Sequence, residues 1–275
     1  MQKKEEKMYS ALLVIIYLAF ISLGLPDTLL GSAWPQMHIE LNASLSSAGI
    51  ITMIISMGTV ISSLFSDRLN IKLGTGKVTA ISVLMTAVAL LGFSLSHSFI
   101  ILCVLAVPYG LGAGAVDAAL NNYVALHYSS KHMSWLHCFW GVGASIGPYI
   151  IGTCMAHGLG WRGGYSVISV LQFTLTAALF ITLPLWKKVE NSENNVINGK
   201  NERTQEEPQE RKAKSLSEVL HIKGVIYILF AFFCYSAVEQ TTTLWCASYL
   251  VLNRSIDSNI AAKFAAFFYI GITFG

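Results

Sequence analysis

Charge is nearly absent from seven long stretches of this chain, and that absence limits the fold more than any motif does. They run roughly Met8 to Leu30, Leu45 to Ser66, Val78 to Ser96, Phe99 to Leu126, Met133 to Met155, Gly163 to Trp186 and Gly224 to Val251. Each matches the bilayer requirement of about 20 apolar residues rising about 1.5 Å apiece. An eighth begins near Ile260 and is still apolar at Gly275. Of the 33 Lys, Arg, Asp and Glu side chains, five crowd the first seven residues and fourteen fall between Lys187 and Ile222. The other 232 residues carry only fourteen charges, too few to cover a soluble domain, so the expected fold class is an all-α integral membrane protein.

The amino terminus MQKKEEKM leads into an apolar run with no small-residue cleavage site, which reads as a retained first span. The net charge of +3 arises at segment ends and in a balanced linker rather than on a basic face, so no nucleic-acid partner is expected. Placing the amino terminus in the cytoplasm puts fifteen of the eighteen Lys and Arg on that side, leaving Arg162, Arg254 and Lys263 elsewhere. Cys103, Cys138, Cys154, Cys234 and Cys246 lie in apolar runs without ligand spacing and read as packing residues, with no metal site.

The domains expected are a six-helix bundle over 1–186, a charged cytoplasmic linker over 187–222 and the start of a second bundle over 223–275. The linker is balanced, with seven positive and seven negative charges, and Ser215 and Glu218 form a potential capping box before the seventh span. Six spans, a charged linker and further spans outline a transporter of two six-helix halves. An apolar helix that stops partway would leave carbonyls in hydrocarbon, so the chain is expected to be truncated within its eighth helix.

Three acids sit inside apolar stretches: Asp27, Asp117 and Glu239, on the first, fourth and seventh spans. Each costs about 2.5 to 3.5 kcal/mol near a helix centre, so each is expected to face water or a partner. Asp27 lies nineteen residues after Met8 and Asp117 eighteen after Phe99, equivalent depths if the half is two three-helix repeats of opposite topology. Such repeats surround a central cavity with their first helices. Asn121 shares a helix face with Asp117, and Asn122 follows, while Glu239, Gln240, Thr242 and Thr243 form a polar band on the seventh span. A carboxyl desolvated in such a cavity can exchange protons near neutral pH. Pro26 offers a competing role for Asp27, as the cap of a bend.

Gly110 and Gly114 on the fourth span, and Gly143 and Gly147 on the fifth, are spaced for close helix approach, and Pro148 predicts a bend. Trp34, Trp140 and Trp245 either stack on a sugar ring or sit in interfacial belts. His137 is either a satisfied buried histidine or a proton-relay or substrate donor. GTGK lacks the other P-loop positions, since Ile71 and Val78 occupy them, so no nucleotide site is read there. Asp67 and Arg68, with Lys72 and Lys77 beyond, read instead as a charge latch between helices.

These residues resemble a family. SDRLNIKLGTGK is similar to the conserved loop between the second and third helices of the major facilitator superfamily, matched at Asp67, Arg68, Gly74 and Lys77 but with Asn70, Ile71 and Lys72 in place of its Gly-Arg-Arg/Lys run. GVGASIGPYIIG resembles its fifth-helix glycine-proline motif at Gly143, Gly147, Pro148 and Gly152, with Thr153 replacing the last glycine. GLPDTLLGSAWP, GLGAGAVDAALNNYVALH and YSAVEQTTTLWCASYL are similar to the branch of fucose and other sugar:proton symporters. That resemblance implies a major facilitator fold, with Asp27 and Asp117 serving sugar binding and protonation; the branch's fourth-helix glutamate is here the shorter Asp117.

The function expected is proton-coupled symport of a small hydroxylated solute such as a sugar by alternating access. Asp117 and Asp27 couple protons, with Asp117 the preferred carrier, and Asp27, Asn121, Asn122, His137, Trp140, Glu239, Gln240 and Trp245 contact the solute. The proton gradient is the energy source and no cofactor is required. The setting is the lipid bilayer of a plasma membrane, a bacterial inner membrane, with a full-length monomer as the working unit. A proton-coupled exporter of amphipathic compounds stays open as the alternative. An enzyme is not expected, because the sequence offers neither a Ser/His/Asp arrangement nor metal spacing.

Overall fold

The computed structural model describes residues 2–204 and 216–274. Among them are ten helices and no strand: α1 (Gln2–Asp27), α2 (Leu29–Glu40), α3 (Ser47–Leu73), α4 (Thr75–Leu95), α5 (Phe99–His127), α6 (Ser130–Ala156), α7 (Gly160–Thr204), α8 (Leu216–Leu220), α9 (Val225–Arg254) and α10 (Ser258–Phe274). Seven helical segments within the described residues are long and apolar enough to cross a membrane, the first being α1 and α2 together from Met8 to Glu40. α10 is apolar and shorter.

The first span extends ten residues beyond the Leu30 expected from sequence. Pro26, which has no N–H to donate, ends α1 one residue later, and the chain resumes as α2 after Thr28. α2 continues because its side chains are buried: Trp34 and Met37 are fully enclosed, and the Trp34 indole N–H donates to the Leu45 carbonyl at 2.7 Å. Trp34 is therefore a core residue that ties α2 to the following loop, rather than a sugar platform or an interfacial anchor.

The segment read as a loop between the second and third spans shrinks to one residue. α3 runs to Leu73, Gly74 turns with φ of 80°, and α4 starts at Thr75. That positive φ is why glycine stands there. At the other boundary, α7 continues helically past Trp186 to Thr204, into the segment read as the linker. Ser215 of the capping box lies outside the described residues, although Glu218 falls in α8.

Within the six-span bundle the closest pairings are α1 with α6, α3 with α5, and α4 with α7. Exchanging the first span for the fourth, second for fifth and third for sixth returns the same set of pairings, as inverted three-helix repeats require. Glycines set two of them. A Cβ on Gly110 would strike the Ile55 carbonyl, and one on Gly114 the Thr59 carbonyl, so α5 rests directly on α3. Gly143 and Gly147 let α6 approach the Ile21 and Leu25 carbonyls of α1 in the same way.

Two apolar cores fill the bundle. One gathers Leu29, Trp34, Met37, Leu90, Phe93, Trp161 and Tyr165 toward the Glu40 end. The other gathers Leu12, Ile16, Phe20, Leu120, Tyr123 and Trp186 toward the Met8 end. α9 rests on the bundle through α2, while α10 packs along α6. Ile226 to Tyr235 on the first half of α9 are exposed, and Cys234, read as a packing residue, is among them.

Candidate functional site

From Ser22 to Pro35 every residue is buried except Asp27. The exception opens into a cavity of about 530 Å³, reached by α1, α2, α3, α4, α5, α6, α7 and α9. The proline break places Asp27 there: a helix that stops at residue 27 aims its last side chain inward between the two cores. Both carboxylate oxygens are held from the same bundle. The Tyr109 hydroxyl of α5 donates to Oδ1 at 3.2 Å, and the Trp140 indole N–H of α6 donates to Oδ2 at 2.9 Å.

Asp117 lines the same cavity from further along α5. Asn121, one turn on, donates its amide to Oδ1 at 2.9 Å. Among the described residues no donor reaches the second oxygen. The two acids thus share one space with different company, Asp27 bound at both oxygens and Asp117 at one.

The rest of the lining mixes hydroxyls with apolar surface. Thr52, Ser56 and Thr59 project from α3, and Gln240 and Thr243 from α9, among Leu23, Leu30, Leu90, Phe93, Phe232 and Leu244. Tyr165 adds a second phenol. No Lys, Arg or His lines it among the described residues. Among the described residues no cluster of His, Cys, Asp and Glu has the makings of a metal site.

Of the residues singled out from sequence, Asp27, Asp117, Trp140 and Gln240 meet at this cavity, and Asn121 reaches it through Asp117. Four do not line it. Asn122 is exposed on the far side of its turn, Trp245 packs against the core near Leu244, and Glu239 interacts with Tyr235 on its own helix. His137 is exposed, its ring edge-on to Phe20 at 6.1 Å. Sequence reasoning missed Tyr109, Tyr165, Thr52 and Thr59, which look like ordinary members of apolar helices.

The cavity is sealed on one side of Asp27. Gly31 of α2 lies against the backbone of Thr243 and Leu244 in α9, close enough that a Cβ would strike the Thr243 carbonyl. Tyr269 of α10 donates to the Thr243 hydroxyl and meets the Trp140 ring edge-on, which extends the seal. Beyond it, Arg162 pairs with Glu40 and donates to the Ser96 carbonyl from Nη2 at 3.1 Å. At the opposite end no ion pair joins the expected latch residues among the described residues. Asp67, Arg68, Lys72 and Lys77 are all exposed, and Arg68 lies over Phe65 of its own helix at 5.9 Å.

The profile of the Major Facilitator Superfamily matches residues 16–275, nearly the whole chain. The chain belongs to the Major Facilitator Superfamily. It is 23% identical over 273 residues to the Bypass of stop codon protein 6 of Saccharomyces cerevisiae, covering 93% of this chain and 54% of that protein. It is 21% identical over 255 residues to the hexuronate transporter of Bacillus subtilis, covering 89% of this chain and 57% of the transporter. An uncharacterized transporter of Sinorhizobium fredii is 25% identical over 116 residues, 41% of this chain and 31% of its own. The chain therefore spans about half the length, or less, of these superfamily relatives.

Proposed function

We propose that the protein is a secondary active transporter that moves a small, uncharged, hydroxylated solute together with protons. The observation that carries this reading is the sharing of one cavity by two unequal carboxyls. Asp27, gripped by Tyr109 and Trp140, is a fixed acceptor for solute hydroxyls. Asp117 keeps one oxygen open to the cavity and is the group free to gain and release a proton. Thr52, Ser56, Gln240 and Thr243 supply further hydroxyl and amide partners. The resemblance to the fucose permease branch agrees with this division of labour.

One relative is named for hexuronate, a sugar acid. The two acids that this chain contributes to the lining favour a neutral solute, because an anion would meet like charge there. The lysine and arginine distribution supports a cytoplasmic amino terminus, and the membrane we propose is the plasma membrane. In that orientation the seal between Gly31 and Thr243 is external and the cavity faces the cytoplasm. Alternating access then consists of breaking that seal while the inner end closes, with Asp117 protonation and solute favouring one facing state.

The apolar share of the lining, Leu23, Leu30, Phe93 and Phe232 among it, favours a second reading in which amphipathic compounds are exported against protons. One experiment separates the two. Sugars and polyols are added to weakly buffered, de-energised cells while external pH is recorded. Alkalinisation by one class of solute, lost in Asp117→Asn, is the expected result. Silence across the panel, with amphipathic cations collapsing an imposed proton gradient in everted vesicles, would replace symport with efflux.

A further inference from the structure

Pro26 removes one backbone donor from α1, and the carbonyl it leaves without a helical partner is that of Ser22, four residues earlier. This carbonyl lies in the buried interior, where an unpaired acceptor is costly. It is not unpaired. Gln172 of α7 donates its side-chain amide to the Ser22 carbonyl at 2.5 Å, and the Ser22 hydroxyl donates back to Gln172 Oε1 at 2.6 Å. Ser22 and Gln172 are both buried, at 6% and 2% exposure.

The same arrangement recurs across the α1/α6 contact. Pro148 releases the Ala144 carbonyl, and the buried Thr28 hydroxyl donates to it at 3.2 Å. These two carbonyls, freed by Pro26 and Pro148, are therefore each caught by a side chain from outside their own helix. The kink that aims Asp27 into the cavity is pinned from α7, and the helix carrying Trp140 is pinned from the break itself.

We infer that Gln172 is a positioning residue for Asp27: by holding the Ser22 carbonyl it fixes the proline break and keeps Asp27 between Tyr109 and Trp140. It touches neither the cavity acids nor the solute space. Its effect passes through five residues of α1 backbone, independently of what the protein carries.

The test uses the full chain in membranes and dicyclohexylcarbodiimide, which modifies protonated carboxyls in apolar settings. Labelling of Asp27 and Asp117 is read separately by peptide mass spectrometry, so Asp117 is the internal control. Gln172→Leu removes both hydrogen bonds to Ser22 and frees the break, and Asp27 labelling rises about fivefold or more relative to Asp117, the effect of losing at least one neutral hydrogen bond. In a Pro26→Ala background the restored amide takes the Ser22 carbonyl, and adding Gln172→Leu changes the ratio less than about twofold. An unchanged ratio in Gln172→Leu, an equal rise at both acids, or the same increment in both backgrounds would overturn the assignment. If Gln172→Leu does not fold, Gln172→Met, which keeps length without a donor, replaces it. Failure of both variants when Pro26 is retained, with recovery in the Pro26→Ala background, supports the assignment, and failure in both backgrounds overturns it.

Discussion

The Trp140 indole N–H donates to Asp27 Oδ2 at 2.9 Å, fixing a carboxyl of the first span from the fifth. With Tyr109 on the other oxygen, three helices converge on one acid. Trp140→Phe keeps most of the ring and removes the donor. Because a hydrogen bond to a charged group contributes about 1.5 to 3 kcal/mol, the half-saturating solute concentration should rise about tenfold or more. Tyr109→Phe should act in the same direction, and the double variant should fall short of the product, since both hold one carboxyl. Solute-driven proton uptake against concentration measures this; unchanged half-saturation in both single variants would remove Asp27 from the binding site.

Two glycines, one on the fifth span and one on the second, should respond in opposite directions. At Gly143 a methyl group would collide with the Ile21 carbonyl, a backbone atom that no rotamer change can move. Gly143→Ala should cost about 1 to 3 kcal/mol, the usual toll of overpacking, read as a lower unfolding temperature in detergent. At Gly49, helical and with open space around it, alanine should add about 0.5 to 1 kcal/mol.

At the sealed end Arg162 joins three segments: it pairs with Glu40, donates to the Ser96 carbonyl and lies over the Trp161 ring at 4.3 Å. The ion pair is partly exposed and worth at most about 1 kcal/mol. Glu40→Ala should therefore be mild and Arg162→Ala clearly worse, because it also strips the Ser96 carbonyl of its donors. Arg162→Lys should restore the salt-dependent part alone, since an ammonium lacks the planar fork. Thermal unfolding of the three variants at low and high salt tests this ranking.

Span number, the glycine contacts and the acids of the first and fourth spans were readable because each departs from a strong rule: charge does not belong in hydrocarbon, and small residues do not recur at four-residue spacing by accident. Tyr109, Tyr165 and Gln172 gave no such signal. A tyrosine or lone glutamine in an apolar helix shows its role only once rotation against neighbouring helices is known, and hydropathy does not set that rotation. Trp34 and Trp245 illustrate the converse, for both look like ligand platforms in sequence and are packed into or against the core. The extension of the first span to Glu40 was obscured by Pro35 and by the polar end His38 to Glu40, which burial of Trp34 and Met37 outweighs.

The central claim is that Asp117 carries the proton and Asp27 holds the solute. Radiolabelled solute counterflow and proton-driven accumulation, compared in the same proteoliposomes, test it most directly. Asp117→Asn should keep counterflow, which exchanges solute without net proton movement, and lose accumulation; Asp27→Asn should lose both. Full accumulation by Asp117→Asn, or intact counterflow with lost accumulation in Asp27→Asn, would contradict the assignment.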